Sequence, residues 1–268
     1  VYPVKSCRGI SLAQAELTPR GLRHDREWMV VTPDGRFLNS RELPRLALIA
    51  PEIADHELRL QAPGTSRIAV TLADAGDGPS REVIVWGDTV LARDEGDAVA
   101  HWLSDFLRRS VRLVRFDRTL ARPCNPEYAG DSGAHTYFAD AYPILVIGAA
   151  SLADLNARLS ARGGFALPMN RFRPNVVLAG LPPYDEDHVA TIIAGDVVLR
   201  CVKPCTRCQV TTTDQDSGNV GIEPLRTLAG YRMSERLGGV TFGMNAVVVG
   251  GAGAALAAGA AVDIEYAF

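Results

Sequence analysis

The stretch that decides the fold of this chain is residues 196–208, Asp-Val-Val-Leu-Arg-Cys-Val-Lys-Pro-Cys-Thr-Arg-Cys. Its apolar first part, residues 196–202, predicts a β-strand. Pro204 has no backbone N–H to donate, so we expect it to end the pairing of that strand. Residues 205–208 would then form a tight loop, and Gln209 to Thr213 would continue as the next strand. The sequence therefore predicts a rigid turn between two strands, with Cys208 at its end.

The three cysteines of this stretch, Cys201, Cys205 and Cys208, indicate a site for a metal or for thiol chemistry. A thiolate on a rigid turn suits a soft or high-valent metal, and the neighbouring cation of Arg207 favours the ionised sulfur. Three other interpretations stay open. Structural zinc would need ligands from distant parts of the chain. A redox dithiol is typical of a strand followed by a helix, and free cysteines are often only small buried side chains.

Short apolar runs separated by turn residues dominate the chain before this point, which predicts a β meander or small barrel in the first half. Val99, Trp102, Leu103, Phe106 and Leu107 share one helical face, so we predict a helix from about residue 96 to 109 and interpret its aromatic side chains as core residues. The predicted strands of this half are 27–32, 46–50, 58–61, 68–72, 82–85, 89–92 and 111–116.

A proline- and glycine-containing loop after residue 116 is the predicted domain boundary, giving domains 1–116 and 117–268 of a β-rich α+β fold. The second half begins with a buried strand and a helix that we expect Ser151 to cap and Gly163-Gly164 to end. Residues 251–259 are interpreted as a glycine and alanine turn. The predicted strands of this half are 144–148, 175–178, 189–193, 196–202, 209–213, 240–249 and 261–266.

Composition excludes several classes of protein. The 268 residues, 47% of them hydrophobic, are enough for a large core. The net charge of -3 arises from interspersed acids and bases, so we expect no nucleic-acid partner. An odd number of cysteines, partly clustered, favours a reducing compartment, and we expect a cytoplasmic protein. Residues 246–262 are too rich in glycine and alanine to predict a membrane span, although a presequence or anchor upstream of Val1 is left open.

Several basic residues lie where surface charge is not expected. Lys5 and Ser6 follow an apolar entry, Arg26 precedes an apolar strand that would place it on the same side as Trp28, and Arg173 stands just before a buried strand. Each has an ordinary alternative, a solvated lysine or a structural ion pair. Together they predict one site that binds a phosphate at one end and a sulfur-bound metal at the other, since arginine's planar fork bonds two phosphate oxygens at once.

The chain resembles the MOSC family, and within it the mitochondrial amidoxime-reducing component and its bacterial relatives. The matching stretches keep the family's order and cover nearly the whole chain. They are residues 2–9 (Tyr-Pro-Val-Lys-Ser-Cys-Arg-Gly), 21–28 (Gly-Leu-Arg-His-Asp-Arg-Glu-Trp), 41–49, 138–143 (Phe-Ala-Asp-Ala-Tyr-Pro), 151–156, 171–175 (Arg-Phe-Arg-Pro-Asn), 205–214 and 223–232.

The resemblance implies an N-terminal MOSC_N β-barrel domain packed on a C-terminal MOSC β-barrel domain with flanking helices, and a molybdenum cofactor, molybdopterin, in the cleft between them. Carried over by position, Cys208 would be the protein ligand to molybdenum, with Arg207 tuning its sulfur and Asp214 as a proton relay or, equally, a turn residue. The residues implied to hold the pterin and its phosphate are Lys5, Ser6, Arg26, Ala141, Tyr142, Arg173, Cys205, Thr206 and Arg207.

The activity that the resemblance implies is reduction of small N-hydroxylated substrates, amidoximes and hydroxylamines. Because the chain ends at Phe268 without a cysteine-rich iron–sulfur domain, electrons are expected from a separate donor, a cytochrome b5-type or iron–sulfur reductase system. The family's usual Gly-Asp before the last strand is Gly259-Ala260 here, which we expect to change a turn only. The alternatives are sulfur transfer to the cofactor, as in molybdenum-cofactor sulfurases, and a carrier that only binds and delivers it.

Overall fold

The computed structural model describes residues 1–73 and 78–267 and confirms a β-rich fold with a few flanking helices. Two larger curled sheets and two small ones make up the molecule. In the first half the elements are β1 (Gln14–Thr18), β2 (Gly21–Leu22), β3 (Trp28–Val31), β4 (Ala50–Ala54), β5 (Glu57–Gln61), β6 (Ile68–Thr71), β7 (Ser80–Val85), β8 (Asp88–Asp94), helix α1 (Asp97–Leu107) and β9 (Arg112–Phe116).

The second half contains more helix but is built on one sheet. No helix in the described ranges is long and apolar enough to cross a membrane. Its elements are α2 (Pro126–Ala129), β10 (Ile144–Gly148), α3 (Ala149–Ser160), β11 (Val176–Leu178), β12 (Val189–Ala194), β13 (Val197–Thr206), α4 (Leu225–Ala229), β14 (Met233–Ser234), β15 (Gly239–Gly250), β16 (Ala255–Ala257) and β17 (Asp263–Tyr266), with 3-10 turns at Pro44–Leu48, Gly130–Ser132, Met169–Phe172, Asp185–His188 and Gln209–Thr212.

In the first half, β3, β9, β8 and β7 form one sheet and β4, β5 and β6 another. Alternation explains the strands: in β5, Leu58 and Leu60 are buried while their neighbours face outward. Helix α1 was predicted correctly, and Phe106 is buried on its apolar face while Trp102 packs at the edge of the same core. The strand predicted at 46–50 was wrong, because Pro44 starts a 3-10 turn there, its fixed φ being suited to the first position of a helix.

In the second half, the sheet order is β11, β10, β15, β13, β12, β17, with β14 paired to β15. All five residues of β10 are buried, as expected for a strand covered on both faces. The predicted cap Ser151 was wrong: α3 begins earlier, and Ser151 lies buried in its first turn. The Glu186 carboxylate takes the place of the cap, accepting from Gly148 N at 3.0 Å and from the Ser151 hydroxyl at 2.6 Å. A carboxylate at this end of a helix also complements the helix dipole.

Strands from near the two ends of the chain meet in a small fourth sheet. Strand β1 pairs antiparallel with β16, so residues 251–259 are not only a turn, as predicted, but carry a short strand. Val1, Leu17 and Leu22 are buried in the same hydrophobic cluster as Ile144 and Val146. The first residues of the chain therefore contribute to both cores, since Val4 and Cys7 are buried in the core of the first half. The boundary near residue 117 stays a prediction.

Strand β13 runs through Pro204 to Thr206, so the prediction that this proline ends the pairing was wrong. Up to Arg200, β13 pairs with β12 on one side and with β15 on the other. After Arg200, it pairs with β15 alone among the described strands. The register shifts before and after Pro204: Pro204 faces Met244 and Thr206 faces Thr241, so Phe242 and Gly243 together oppose Cys205. Such a bulge accommodates the missing donor and turns the strand. It places residues 205–208 at the mouth of the cleft described below.

Gly243 has a left-handed backbone, φ 79°, and a Cβ there would lie 2.6 Å from the Val146 carbonyl oxygen and 2.7 Å from Ile147 Cγ1. We expect Gly243→Ala to lower the free energy of unfolding by about 1–2 kcal/mol for the backbone conformation and a further 1–3 kcal/mol or so for overpacking. Gly238 shares the conformation, φ 64°, but has open space around it, so Gly238→Ala should show the backbone cost alone. Urea unfolding curves of the two variants would contradict this if their midpoints fell equally.

Candidate functional site

A cleft of about 880 Å³, partly open to solvent, lies where the two halves meet. It contains every predicted cofactor-binding and metal-binding residue, from both halves of the chain. Its lining also includes residues that sequence reasoning did not single out. The predicted residues in the lining are Lys5, Ser6, Arg26, Ala141, Tyr142, Arg173, Cys205, Thr206, Arg207 and Cys208, and the others are Phe37, Asn39, Arg41, Trp86, Ala139, Asp140, Leu145, Phe172, Asn175, Val210, Thr211 and Asn245.

Cys208 is exposed in this cleft, immediately after the bulged end of β13. The residues that follow form a 3-10 turn, Gln209–Thr212, and not the predicted strand. The Thr211 backbone N–H and hydroxyl both donate to the Cys208 carbonyl, at 3.1 and 3.0 Å, which gives the backbone a local alternative to sheet pairing. The thiol is therefore presented from a fixed turn.

The cysteines of the chain separate into two groups, those that line the cleft and those that do not. Burial raises the pKa of Cys7 and of Cys201 to about 12 and that of Cys124 to about 11, so these three thiols stay protonated and inert. Cys205 and Cys208 are the two that line the cleft. In the described part of the chain, no three His, Cys, Asp or Glu side chains gather as a metal-binding group, so a structural zinc site has no ligand set there.

Arg207 lies against Cys205 and not, as the sequence suggested, against Cys208. Its Nη1 donates to Cys205 Sγ at 3.0 Å and its Nη2 to the Phe172 carbonyl at 2.5 Å. Its Nε is buried and has no hydrogen-bond partner among the described residues. A buried donor without a partner is costly, and this one lines a cleft, which fits a missing acceptor from a ligand.

Arg26 and Arg173 form the cationic end of the cleft. Their guanidinium carbons lie 4.4 and 4.3 Å from the ring centroid of Tyr2. Arg26 donates to both carboxylate oxygens of Asp25 and to the Arg173 carbonyl, while Arg173 donates to the Cys7 carbonyl at 2.5 Å. Burial, followed by the charge of Arg26, lowers the pKa of Arg173 to about 10, so Arg173 remains a cation at neutral pH. Two like charges held together in this way fit an anionic ligand.

The backbone of the cleft is strained at three of these residues. Ser6, Arg26 and Arg173 have φ values of 69°, 49° and 59°, in the left-handed region that other residues than glycine rarely adopt. The expectation that Arg26 shares a strand face with Trp28 was therefore wrong, since β3 begins only at Trp28. Strain of this kind concentrates at binding sites, where a side chain is needed at a backbone position that would favour glycine.

Lys5 is buried and paired with Asp140, a residue that the sequence analysis missed. Lys5 Nζ donates to Asp140 Oδ1 at 2.5 Å and to the Phe138 carbonyl at 2.7 Å, and Trp86 Nε1 donates to the same Oδ1 at 3.1 Å. Burial lowers the pKa of Lys5, and the Asp140 carboxylate opposes this. Desolvation by the surrounding cleft would raise the pKa of Asp140, but the ammonium of Lys5 and the indole of Trp86 outweigh it and hold that pKa well below its usual range. The Asp140 side chain is 70% exposed, so water in the cleft screens the pair.

Asn175 was also missed, although it lies in a stretch that carried the family resemblance. Its Oδ1 accepts from Arg26 Nη1 and from Leu145 N, both at 3.1 Å. Its Nδ2 is buried and, like Arg207 Nε, has no hydrogen-bond partner among the described residues. The two unpartnered donors, the paired arginines and the exposed thiol fit a ligand that carries oxyanions and a thiolate-binding metal.

Asp214 lies outside the residues that line the cleft. Its carboxylate accepts from Ser217 N and Ser217 Oγ, both at 2.8 Å, and from Asp216 N at 3.1 Å, and these bonds lower its pKa. This is the geometry of a turn residue, the second of its two interpretations. Its part in proton transfer stays a prediction.

Comparison with known proteins shows that two family models match this chain. The family model described as "MOSC N-terminal beta barrel domain" matches residues 1–110, and that described as "MOSC domain" matches residues 134–263. The chain is 36% identical over 245 residues to mitochondrial amidoxime reducing component 2 of Rattus norvegicus, covering 88% of this chain and 71% of that protein.

Two further relatives bound the comparison. Mitochondrial amidoxime-reducing component 1 of Mus musculus is 37% identical, over 88% of this chain and 70% of that protein. The molybdenum cofactor sulfurase of Oryza sativa subsp. japonica is 33% identical over 91% of this chain, which spans only 31% of that protein. With these matches over nearly its whole length, and with both domains in the expected order, the chain belongs to the MOSC family.

Proposed function

We propose that this protein binds a molybdenum cofactor in the cleft between its halves and reduces small N-hydroxylated compounds, with electrons from a separate donor protein. One observation carries the proposal: the exposed thiol of Cys208 and the paired cations Arg26 and Arg173 line the same cleft. A ligand with a metal at one end and a phosphate at the other would use both. The relatives named amidoxime reducing components support the choice of reaction.

At the phosphate end, Arg26 and Arg173 supply planar forks that can each bond two oxygens of one anion. Their positions are already held by the Tyr2 ring, by Asp25 and by backbone carbonyls. Asn175 Nδ2 and Ser6 add polar groups on the same wall. Little ordering is therefore left to be done when the ligand binds, which favours tight binding.

At the metal end of the cleft, Cys208 is the proposed protein ligand. Cys205, Thr206 and Arg207 line the same end of the cleft. When bound, the molybdenum cofactor supplies the two-electron redox chemistry, which the side chains of the protein cannot. Arg207 Nε offers its unpaired donor to the ligand, and Arg207 Nη1 holds Cys205. The fixed turn after Cys208 keeps the thiolate in one position while leaving it open to the cleft.

The proposed reaction takes up two electrons and two protons, converting an amidoxime to the amidine with loss of one water molecule. The electrons come from a partner, which we propose to be a cytochrome b5-type or iron–sulfur reductase system. Lys5 lies in the cleft as an ammonium paired with the Asp140 carboxylate, and it is better placed than Asp214 to hold a proton near the substrate. The second candidate, sulfur transfer or delivery of the cofactor, is supported by the match to the rice sulfurase.

Cys208→Ala removes the proposed metal ligand from an exposed site, so we expect the protein to fold normally, lose reduction of benzamidoxime with a chemical donor, and lose most of its molybdenum. Activity should fall by at least about a hundredfold, because transition-metal affinity and activity depend on each ligand. The measurements are elemental analysis and the rate of benzamidine formation. Cys201→Ala, on the same strand but outside the cleft lining, is the matched control and should keep both.

Two outcomes decide against this reaction. Wild-type protein that holds stoichiometric molybdenum but reduces no amidoxime would favour a carrier or sulfur-transfer protein. Full activity in Cys208→Ala would show that the metal has another ligand.

Arg173→Gly tests the phosphate end without an expected loss of folding. Glycine relieves the left-handed backbone by about 1 kcal/mol, which offsets the lost bond to the Cys7 carbonyl. Pterin retained through gel filtration should fall about ten- to a hundredfold, since a hydrogen bond to a charged group contributes about 1.5–3 kcal/mol.

Arg108→Gly is the matched control, because Arg108 has φ 56° at the end of α1 and lies outside the cleft lining. It should change neither pterin content nor, beyond the same relief of strain, thermal unfolding. Normal pterin content in Arg173→Gly would rule out this residue as a cofactor ligand.

A further inference from the structure

The β7–β8 hairpin carries a tryptophan to the edge of the cleft. Trp86 has φ 60° in the turn between the two strands, and it is 47% exposed although it lines the cleft. Its ring centroid lies 5.0 Å from that of Phe37, and the Arg41 guanidinium carbon lies 4.9 Å from it. An indole held in a strained turn and half exposed at a cleft is a surface on which a planar ring can pack.

Asp140 next to it has unused capacity to accept hydrogen bonds. Lys5 Nζ and Trp86 Nε1 both donate to Oδ1, whereas Oδ2 accepts no hydrogen bond within residues 1–73 and 78–267. Trp86 thus holds the carboxylate in place and leaves its second oxygen free. In the described lining, Asp140 is the one carboxylate, surrounded by the cations Lys5, Arg26, Arg41, Arg173 and Arg207.

We propose that Trp86 and Asp140 form the substrate subsite of the cleft, which selects planar aromatic amidoximes: the indole packs against the aryl ring, and Asp140 Oδ2 accepts an N–H from the amidoxime's NH₂ group. This inference rests on the proposed function, whose substrate class it narrows. The other charged groups of the lining are donors only and cannot accept from an NH₂ group. Because Lys5 and Trp86 keep the Asp140 carboxylate ionised, it acts as an acceptor and not as an acid.

The test compares an aromatic and an aliphatic substrate, benzamidoxime and acetamidoxime, on cofactor-loaded Trp86→Leu protein. We expect kcat/KM for benzamidoxime to fall about three- to tenfold, the contribution of one aromatic pair. For acetamidoxime, which has no ring to pack against Trp86, the fall should be clearly smaller, because it reflects only the lost hydrogen bond from Trp86 to Asp140. Trp86→Phe should keep most of the preference. Trp102 is a tryptophan outside the lining, so Trp102→Leu is the matched control and should change kcat/KM for neither substrate.

A second readout does not depend on turnover. Calorimetric titration of benzamidine into the loaded protein should give a Kd that Trp86→Leu weakens by about the same three- to tenfold factor, with molybdenum content unchanged. Equal losses for both substrates, or benzamidine binding that ignores Trp86, would overturn the subsite. If the wild-type protein reduces neither amidoxime yet binds benzamidine through Trp86, the subsite stands and the proposed reaction fails.

Discussion

Two guanidinium groups packed against one phenol ring are the constraint on which the rest of this structure depends. The guanidinium carbons of Arg26 and Arg173 both lie within 4.4 Å of the Tyr2 ring centroid, and among the described residues only Arg26 has a carboxylate partner. Burying a charge without a counter-charge is expensive. Here the aromatic face and the carbonyls of Cys7 and Arg173 stand in for solvent, which satisfies donors but leaves the net positive charge in place. Such a pair favours the binding of an anion, as the proposed function requires.

The cations come together because the chain closes on itself. Val4 and Cys7 are buried in the core of the first half, whereas Val1, Leu17 and Leu22 are held in the core of the second half, where β1 also pairs with β16. Arg26 lies only a few residues further on, whereas Arg173 arrives from the 3-10 turn before β11. The thiol end of the cleft has a separate origin, the bulge in which Phe242 and Gly243 oppose Cys205. One site is thus assembled from two packing events that share the sheet built on β10, β13 and β15.

The sequence predicted which residues gather in this cleft better than the backbone that carries them. Lys5, Ser6, Arg26 and Arg173 were singled out by their places in the sequence, and Cys208 by its cysteine cluster and the family resemblance, and all of them line the cleft. The path of the chain at residues 204–213 was mispredicted, because a proline is tolerated where a strand pairs on one side only, and because threonine hydroxyls can bond back to the preceding turn.

Asp140 and Trp86 escaped notice for a different reason. A single aspartate or tryptophan forms no periodic pattern in the sequence. Its role depends on the neighbour that the fold brings from a distant part of the chain, as Trp86 and Asp140 show.

Backbone strain is concentrated in the cleft. Ser6, Arg26, Trp86 and Arg173 line it, and all four have a left-handed backbone at which glycine would be more stable. Each such residue costs about 1–2 kcal/mol of folding free energy. Together with two half-buried cations and two unpartnered donors, this concentrates unfavourable free energy in the residues that line the cleft.

A ligand that satisfies the cations and donors binds only the folded state, so its binding free energy adds to the stability of the fold. The side chains are already in place when it arrives, and none of that energy is spent on ordering them. Binding free energy that is not spent on ordering side chains is left for retention of the ligand, which is what the proposed function, holding a redox cofactor through many turnovers, would require.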